Sequence, residues 1–157
     1  MTFIATKKLN ELEEEKLIKL MMKTSKEKRA KITTQRILIF KELLKNTKKH
    51  PSAEDIYESL KDKIFGLSIS TVYRALAAFE ELGLVRRIPT PDGKAHFEIA
   101  NHPHGHFICK NCGKIIDLED INPSVENLKG KLHQKGLVTE SCNLVCYGLC
   151  KECKTNG

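Results

Sequence analysis

Six cysteines and six histidines stand in this 157-residue chain, and the spacing of most of them is chemical. Cys109-Lys-Asn-Cys112 and Cys150-Lys-Glu-Cys153 are two C-x-x-C pairs separated by residues 113–149. Each pair can chelate from a tight turn that aims two thiolates at a common centre. Together the four thiolates complete a closed tetrahedral zinc site of the structural kind. One C-x-x-C could serve redox chemistry, but such a site has no use for a second copy. Zinc held here would pin the C-terminal end of the chain back onto the strand around Cys112. It would thereby contribute folding energy and dimer integrity to a small domain.

A second set of ligating residues precedes the first pair. In His102-Pro103-His104-Gly105-His106 the last two histidines alternate, so an extended backbone points both imidazoles to one side. Glu98 lies upstream and Asp117 downstream. Two imidazoles with carboxylates suit a borderline divalent metal such as Fe²⁺, Mn²⁺ or Zn²⁺. The same residues also read as an exposed histidine-rich linker. His96, two residues before Glu98 and on the same strand face, is a further possible ligand, as are His102 and Cys142. Buried strand thiols are the expected role of Cys142 and Cys146.

The elements that must carry these side chains follow from periodicity and from charge. Residues 1–100 hold 20 basic and 14 acidic side chains, a net of 20 − 14 = +6, and residues 101–157 hold 7 and 6, a net of +1. Lys23–Lys49 has ten Lys or Arg against Glu27 and Glu42 alone. This is the footprint of a polyanion binder, or else a solvated helix face. Thr33 opens a helix with Ile37, Phe40 and Leu44 at helical spacing, and His50-Pro51 breaks the pattern. Ser52 caps the next helix with Asp55 three residues on. Its apolar stripe is Ala53, Ile56, Tyr57, Leu60 and Ile64, and Gly66 is expected to end it. A third helix runs from about Ser70 to Leu82, with Ile69, Val72, Leu76 and Phe79 inward. Two alternating strands, Leu84–Ile88 and Ala95–Ile99, flank the turn signal Asp92-Gly93.

Three helices and a hairpin make a winged helix-turn-helix. The outward face of its third helix carries Ser70, Thr71, Tyr73 and Arg74, which can reach phosphates and base edges of double-stranded DNA. Lys31 and Arg36, at the basic entrance to the first of these helices, suit phosphates. The bland alternative makes Tyr73 a rim packing residue and Arg74 an ion-pair partner. Residues 1–22 read as another helix, with Leu9, Leu12, Leu17, Leu20 and Met21 on or near one face.

Composition excludes several classes. Apolar residues make up 40% and charged residues 30% of the chain, the balance of a globular protein. Its apolar runs, such as Ile37–Phe40, are far too short to span a membrane. Met1–Lys8 lacks the apolar core of a secretory signal, so a reducing, cytoplasmic setting is expected, where paired cysteines favour metal over disulfides. A zinc hydrolase or deaminase would need a glutamate base beside His104 and His106 and an open coordination position. The neighbours of that pair supply none, and a winged helix has no use in such an enzyme.

The order of motifs carries a resemblance. Ile32-Thr33-x-Gln35-Arg36, His50-Pro-Ser-Ala-Glu-Asp-Ile-Tyr57, Ile69-Ser-Thr-Val-Tyr-Arg-Ala-Leu76 and Leu82-Gly-Leu-Val85 lead into His104-Gly-His-Phe-Ile-Cys-Lys-Asn-Cys-Gly-Lys-Ile-Ile-Asp117 and Tyr147-Gly-x-Cys-x-x-Cys153. From about Lys31 to Cys153 the chain resembles the ferric uptake regulator family of bacterial metal-dependent repressors, whose members sense iron, zinc, manganese or peroxide.

The resemblance implies an α+β homodimer. Residues 1–100 would form the winged-helix DNA-binding domain with its N-terminal helix, about 98–103 the hinge, and 104–157 a small α/β dimerisation domain. It places Cys109, Cys112, Cys150 and Cys153 on the structural zinc. It places His50, Glu98, His104, His106 and Asp117 on a regulatory metal, Fe²⁺ by preference, with Mn²⁺ or Zn²⁺ as alternatives. His50 enters only through this resemblance. Metal binding would select the arrangement that grips a palindromic operator. A further site of many iron sensors has its positions filled here by Pro103, Gly105 and Cys142. Peroxide sensors typically have Asp at the place of Glu98 and zinc sensors often have Cys nearby, so Glu98 leans towards iron. Peroxide sensing is the nearest alternative.

Overall fold

The computed structural model describes residues 11–91, 93–101, 104–119, 122–139 and 142–155, the side chains of 122–124 excepted. Residues 11–89 and 93–100 form one compact unit, and the residues from 101 onward form another.

In the first unit, helix α1 (Glu11–Glu27) is followed by α2 (Thr34–Asn46), a single 3-10 turn (Thr47–Lys49), α3 (Ala53–Leu60), α4 (Ile69–Glu81) and the strands β1 (Val85–Pro89) and β2 (Ala95–Ile99). Each helix after the first begins on a hydroxyl cap. Thr33 Oγ1 accepts from Arg36 N, Ser52 Oγ from Asp55 N and Ser68 Oγ from Thr71 N. These bonds satisfy donors that a helix start leaves open. At Ser52 the bond is reciprocal, because Asp55 Oδ2 accepts from Ser52 N at 2.8 Å. β1 and β2 pair antiparallel, with Val85 opposite Ile99 and Arg86 opposite Glu98. This is the winged helix expected from the sequence.

One core serves the unit. Ile39, Phe40, Leu43, Ala53, Ile56, Val72, Leu76, Phe79, Val85 and Phe97 are buried together, each large side chain contributing about 1.5–3 kcal/mol. Phe40 and Phe79 meet edge to face with ring centres 5.1 Å apart.

Two local expectations change. The N-terminal helix is in place from Glu11 to Glu27, and the expected stretch over residues 1–10, Leu9 included, lies outside the described residues. Its inward face is Leu17, Ile18 and Met21, whereas Leu12 and Leu20 are exposed. The second helix of the motif ends at Leu60 rather than at Gly66. There the Leu60 carbonyl accepts from both Lys63 N and Ile64 N, a turn that drops Ile64 into the core.

The second unit holds β3 (Gly105–Cys109), β4 (Ile115–Leu118), α5 (Asn122–Gln134), β5 (Val145–Gly148) and the short helix α6 (Lys151–Thr155). The sheet runs β4-β3-β5, with β3 antiparallel to β4 and parallel to β5. The parallel pair needs a crossover, which α5 supplies. Cys146 is exposed on β5 and Cys142 is half-buried ahead of that strand. Neither is the buried strand thiol expected: Cys142 precedes β5, and on this edge strand successive residues Cys146 and Tyr147 are both exposed.

Candidate metal centres and nucleic-acid interface

β3 delivers Cys109 into a tight turn. Cys109 N donates to Lys114 O, and Gly113 N donates back to Cys109 O at 2.9 Å. Gly113 takes a φ of +72°, a conformation that costs glycine little. This turn carries Cys112. Cys150 and Cys153 come from the start of α6, where Lys154 N bonds Cys150 O. The four Sγ atoms lie within 4.8 Å of one another. Cys112 Sγ and Cys150 Sγ are 3.7 Å apart. Four sulfurs at about 2.3 Å from a tetrahedral zinc would stand about 3.8 Å from each other. The donor set therefore fits zinc.

Electrostatics around these thiols are mixed. Backbone N–H groups of Cys112 and Cys150 hold the Cys109 thiol down to about 6. The Glu152 carboxylate beside Cys150 pushes its thiol up to about 12. Four thiolates at this spacing repel one another, and a dication removes that repulsion. Sequence reading missed Asn111, whose side-chain amide donates to Cys153 Sγ at 3.2 Å.

A second set of groups lies in the first unit. His50 ends the 3-10 turn in the left-handed region, with φ 49° and ψ 63°. It is only 3% exposed. Its Nε2 stands 3.5 Å from Glu98 Oε2, while Glu98 Oε1 pairs with Arg86 Nε at 3.1 Å. Three bonds sew the loop around His50 to β2. His96 Nδ1 lies 2.6 Å from His50 O, Phe97 N donates to Pro51 O, and Ile99 N donates to Thr47 Oγ1. A carbonyl only accepts, so His96 Nδ1 carries the proton. The H-x-E spacing of zinc deaminases, which sequence reading overlooked, does occur at His96-Phe97-Glu98, yet its histidine is bonded to backbone and its glutamate is ion-paired with Arg86.

The third set lies in the second unit. His106 stands opposite Asp117 across the β3–β4 ladder. The Nε2 atoms of His104 and His106 are each 3.7 Å from Asp117 Oδ1. Both histidines are buried, and their rings meet edge to face at 4.7 Å. This disposes of the exposed-linker alternative. His102 lies outside the described residues.

On α4, Ser70, Tyr73 and Arg74 are exposed, while Thr71 is half-buried and bonds Ser68 Oγ. The Tyr73 hydroxyl donates to Glu54 Oε1 at 2.6 Å. That bond raises the phenol's pKa and lowers that of Glu54. Glu54 was invisible to sequence reading, because α3 and α4 meet only in the folded unit. Arg36, half-buried, bonds the Lys31 carbonyl through Nη1 at 2.6 Å, and Lys31 itself is exposed.

Residues 27–147 match the sequence profile of the ferric uptake regulator family. The chain belongs to that family. It is 37% identical over 137 residues to the peroxide operon regulator of Bacillus subtilis, a match covering 87% of this chain and 92% of the relative. It is 32% identical over 126 residues to the peroxide-responsive repressor of Staphylococcus aureus, covering 79% and 82%. Among solved structures it is similar to the ferric uptake regulator of Helicobacter pylori, described with three functional metal-binding sites. That match has a TM-score of 0.74 at 30% identity, over 95% of this chain and 97% of the other. The Pseudomonas aeruginosa regulator with manganese gives 0.70 at 31%, over 83% and 97%.

As a ferric uptake regulator family member, the protein is a metal-responsive, DNA-binding repressor that acts as a homodimer. It has a winged-helix DNA-binding domain and a dimerisation domain, and its four-cysteine set and its His, Glu and Asp residues are donor sets that suit metal ions.

Proposed function

We propose that this regulator is an iron-responsive repressor whose regulatory ion takes its donors from His50, Glu98, His104, His106 and Asp117. The observation that carries the reading is the pair of ligand half-sets, two donors on the first unit and three on the second, with four of the five donor residues buried. Three imidazoles and two carboxylates suit Fe²⁺ or Mn²⁺ and exclude the soft-metal class. When bound, such an ion supplies positive charge that both half-sets share. His50 and Glu98 belong to the DNA-reading unit, and the other three belong to the dimerisation unit. An ion that prefers all five therefore biases the arrangement of the two units, which is what a switch requires.

In the same reading Cys109, Cys112, Cys150 and Cys153 hold the zinc. Ser70, Thr71, Tyr73 and Arg74 face the major groove, and Lys31 and Arg36 face phosphates. A two-fold dimer reads a palindromic operator. The chain works as a regulator and performs no catalytic turnover.

The test is anaerobic. Duplexes selected from a random library by the iron-loaded protein are titrated with Fe²⁺, Mn²⁺ and Zn²⁺, and iron is expected to give tight binding at the lowest free concentration. A second reading, peroxide sensing, is favoured by the 37% identical peroxide operon regulator. Low peroxide would then release DNA and add one oxygen to peptides containing His50 or His104. Glu98, longer by a methylene than aspartate, predicts retention on DNA. Release with that mass shift would replace the iron reading with the peroxide one.

A further inference from the structure

Arg86 and Glu98 face each other across the β1–β2 ladder. Glu98 is 3% exposed along its side chain and Arg86 is 25% exposed. The two carboxylate oxygens have separate surroundings. Oε1 meets the Arg86 guanidinium at 3.1 Å, and Oε2 is turned to His50 Nε2 at 3.5 Å. A buried carboxylate needs a cation or strong donors. Here an arginine, fixed by strand register, meets that need through one oxygen.

We infer that Arg86 is a positioning residue for the regulatory metal: it holds Glu98 Oε1 and so offers the ion Oε2 alone. This rests on the reading that Glu98 is a ligand. Carboxylates bind divalent ions through one oxygen or two, and the choice sets coordination number. The fixed Oε1 keeps that number low and leaves a position open. The guanidinium adds a like charge near the incoming dication, which weakens binding and so raises the metal concentration at which the switch acts. Arg86 is neither a proposed ligand nor on the α4 face that carries Tyr73 and Arg74.

Cobalt(II) alone is a suitable probe, added to homodimer whose cysteine site is already filled with zinc. Its d–d bands are intense in four- and five-coordinate sites and weak in octahedral ones. Arg86→Met frees Oε1, so the bands should weaken several-fold while cobalt affinity rises by about tenfold, the effect of removing one nearby like charge. Arg86→Lys keeps the cation and should restore most of the native spectrum. Zinc content and circular dichroism report folding, and Arg86→Gln carries the same expectation should the methionine variant fail to fold. Native bands and native affinity in the neutral variant overturn the inference. Glu98→Gln separates the two levels. If it binds cobalt as the native protein does, the ligand reading itself falls. If it loses cobalt while the neutral Arg86 variant is unchanged, only the role of Arg86 falls.

Discussion

His96→Ala removes a side chain that binds no metal in the proposed scheme, yet it should weaken metal binding. His96 Nδ1 lies 2.6 Å from the His50 carbonyl, and His50 sits at φ 49°. A non-glycine residue in the left-handed region costs about 1–2 kcal/mol, so the surroundings must hold it there. Losing the bond costs about 0.5–1.5 kcal/mol, and leaving the buried carbonyl unsatisfied brings the loss to about 1–3 kcal/mol. Two other ties, Phe97 N to Pro51 O and Ile99 N to Thr47 Oγ1, remain and limit how far His50 strays. The expected fall in Mn²⁺ affinity is therefore near the lower end for an outer-shell change, about tenfold. Calorimetric titration of the zinc-loaded protein with Mn²⁺ measures it, and urea unfolding measures the stability loss separately. A variant that loses about 1–3 kcal/mol of stability but keeps native Mn²⁺ affinity would refute the reasoning, because the bond would then hold the fold and not the ligand.

Three further outcomes are expected. Cys109→Ser should lose zinc and fall apart as a dimer, read by metal analysis and sedimentation, since the thiol supplies folding energy through the metal. Glu54→Ala should lower the ratio of selected to random DNA affinity, as Tyr73→Phe should. The double variant should be no worse than either single one, because a single bond between the two side chains is removed in each case. Asp55→Asn tests pH dependence. Backbone and hydroxyl bonds from Ser52 hold the Asp55 carboxyl below its usual value. A depressed carboxylate contributes stability above its unfolded pKa, and that contribution is lost as pH falls through the folded value. The gap between native and Asp55→Asn urea midpoints should hold from pH 7 to about pH 5 and close below about pH 4.

What was legible in the sequence was what is local. Helical spacing at Ile37, Phe40 and Leu44 and the hydroxyls at Thr33 and Ser52 mark elements because their physics acts within a few residues. The C-x-x-C pairs were legible for the same reason, each being one turn of backbone. His104 and His106 showed themselves by strand alternation, and the register then set Asp117 opposite His106. Chain geometry failed wherever a partner comes from afar. His50 has no neighbour that marks it as a ligand, and only the resemblance to the family's order of motifs brings it in. Glu54 and Arg86 carry no signal at all, since an exposed glutamate on α3 and an arginine on a wing strand are ordinary surface residues until α4 and β2 are placed. His96 misled, because alternation puts it on the Glu98 face without saying that a carbonyl 46 residues earlier accepts its hydrogen bond.

These illegible residues share one property, and it bears on how the switch is tuned. As the proposed ligands, His50, Glu98, His104, His106 and Asp117 would fix which class of metal is accepted, and local chemistry is enough to name that class. Arg86 pairs by charge with Glu98 and His96 donates to the His50 carbonyl, and such partners decide how tightly and in what geometry the ion is held. Substitution at Arg86 leaves every proposed ligand in place while changing the charge the ion meets. Sensitivity to metal can therefore shift without any change in the metal-binding motif itself, through positions that a motif search passes over. A family with one ligand pattern and sensors for several signals is what that separation permits.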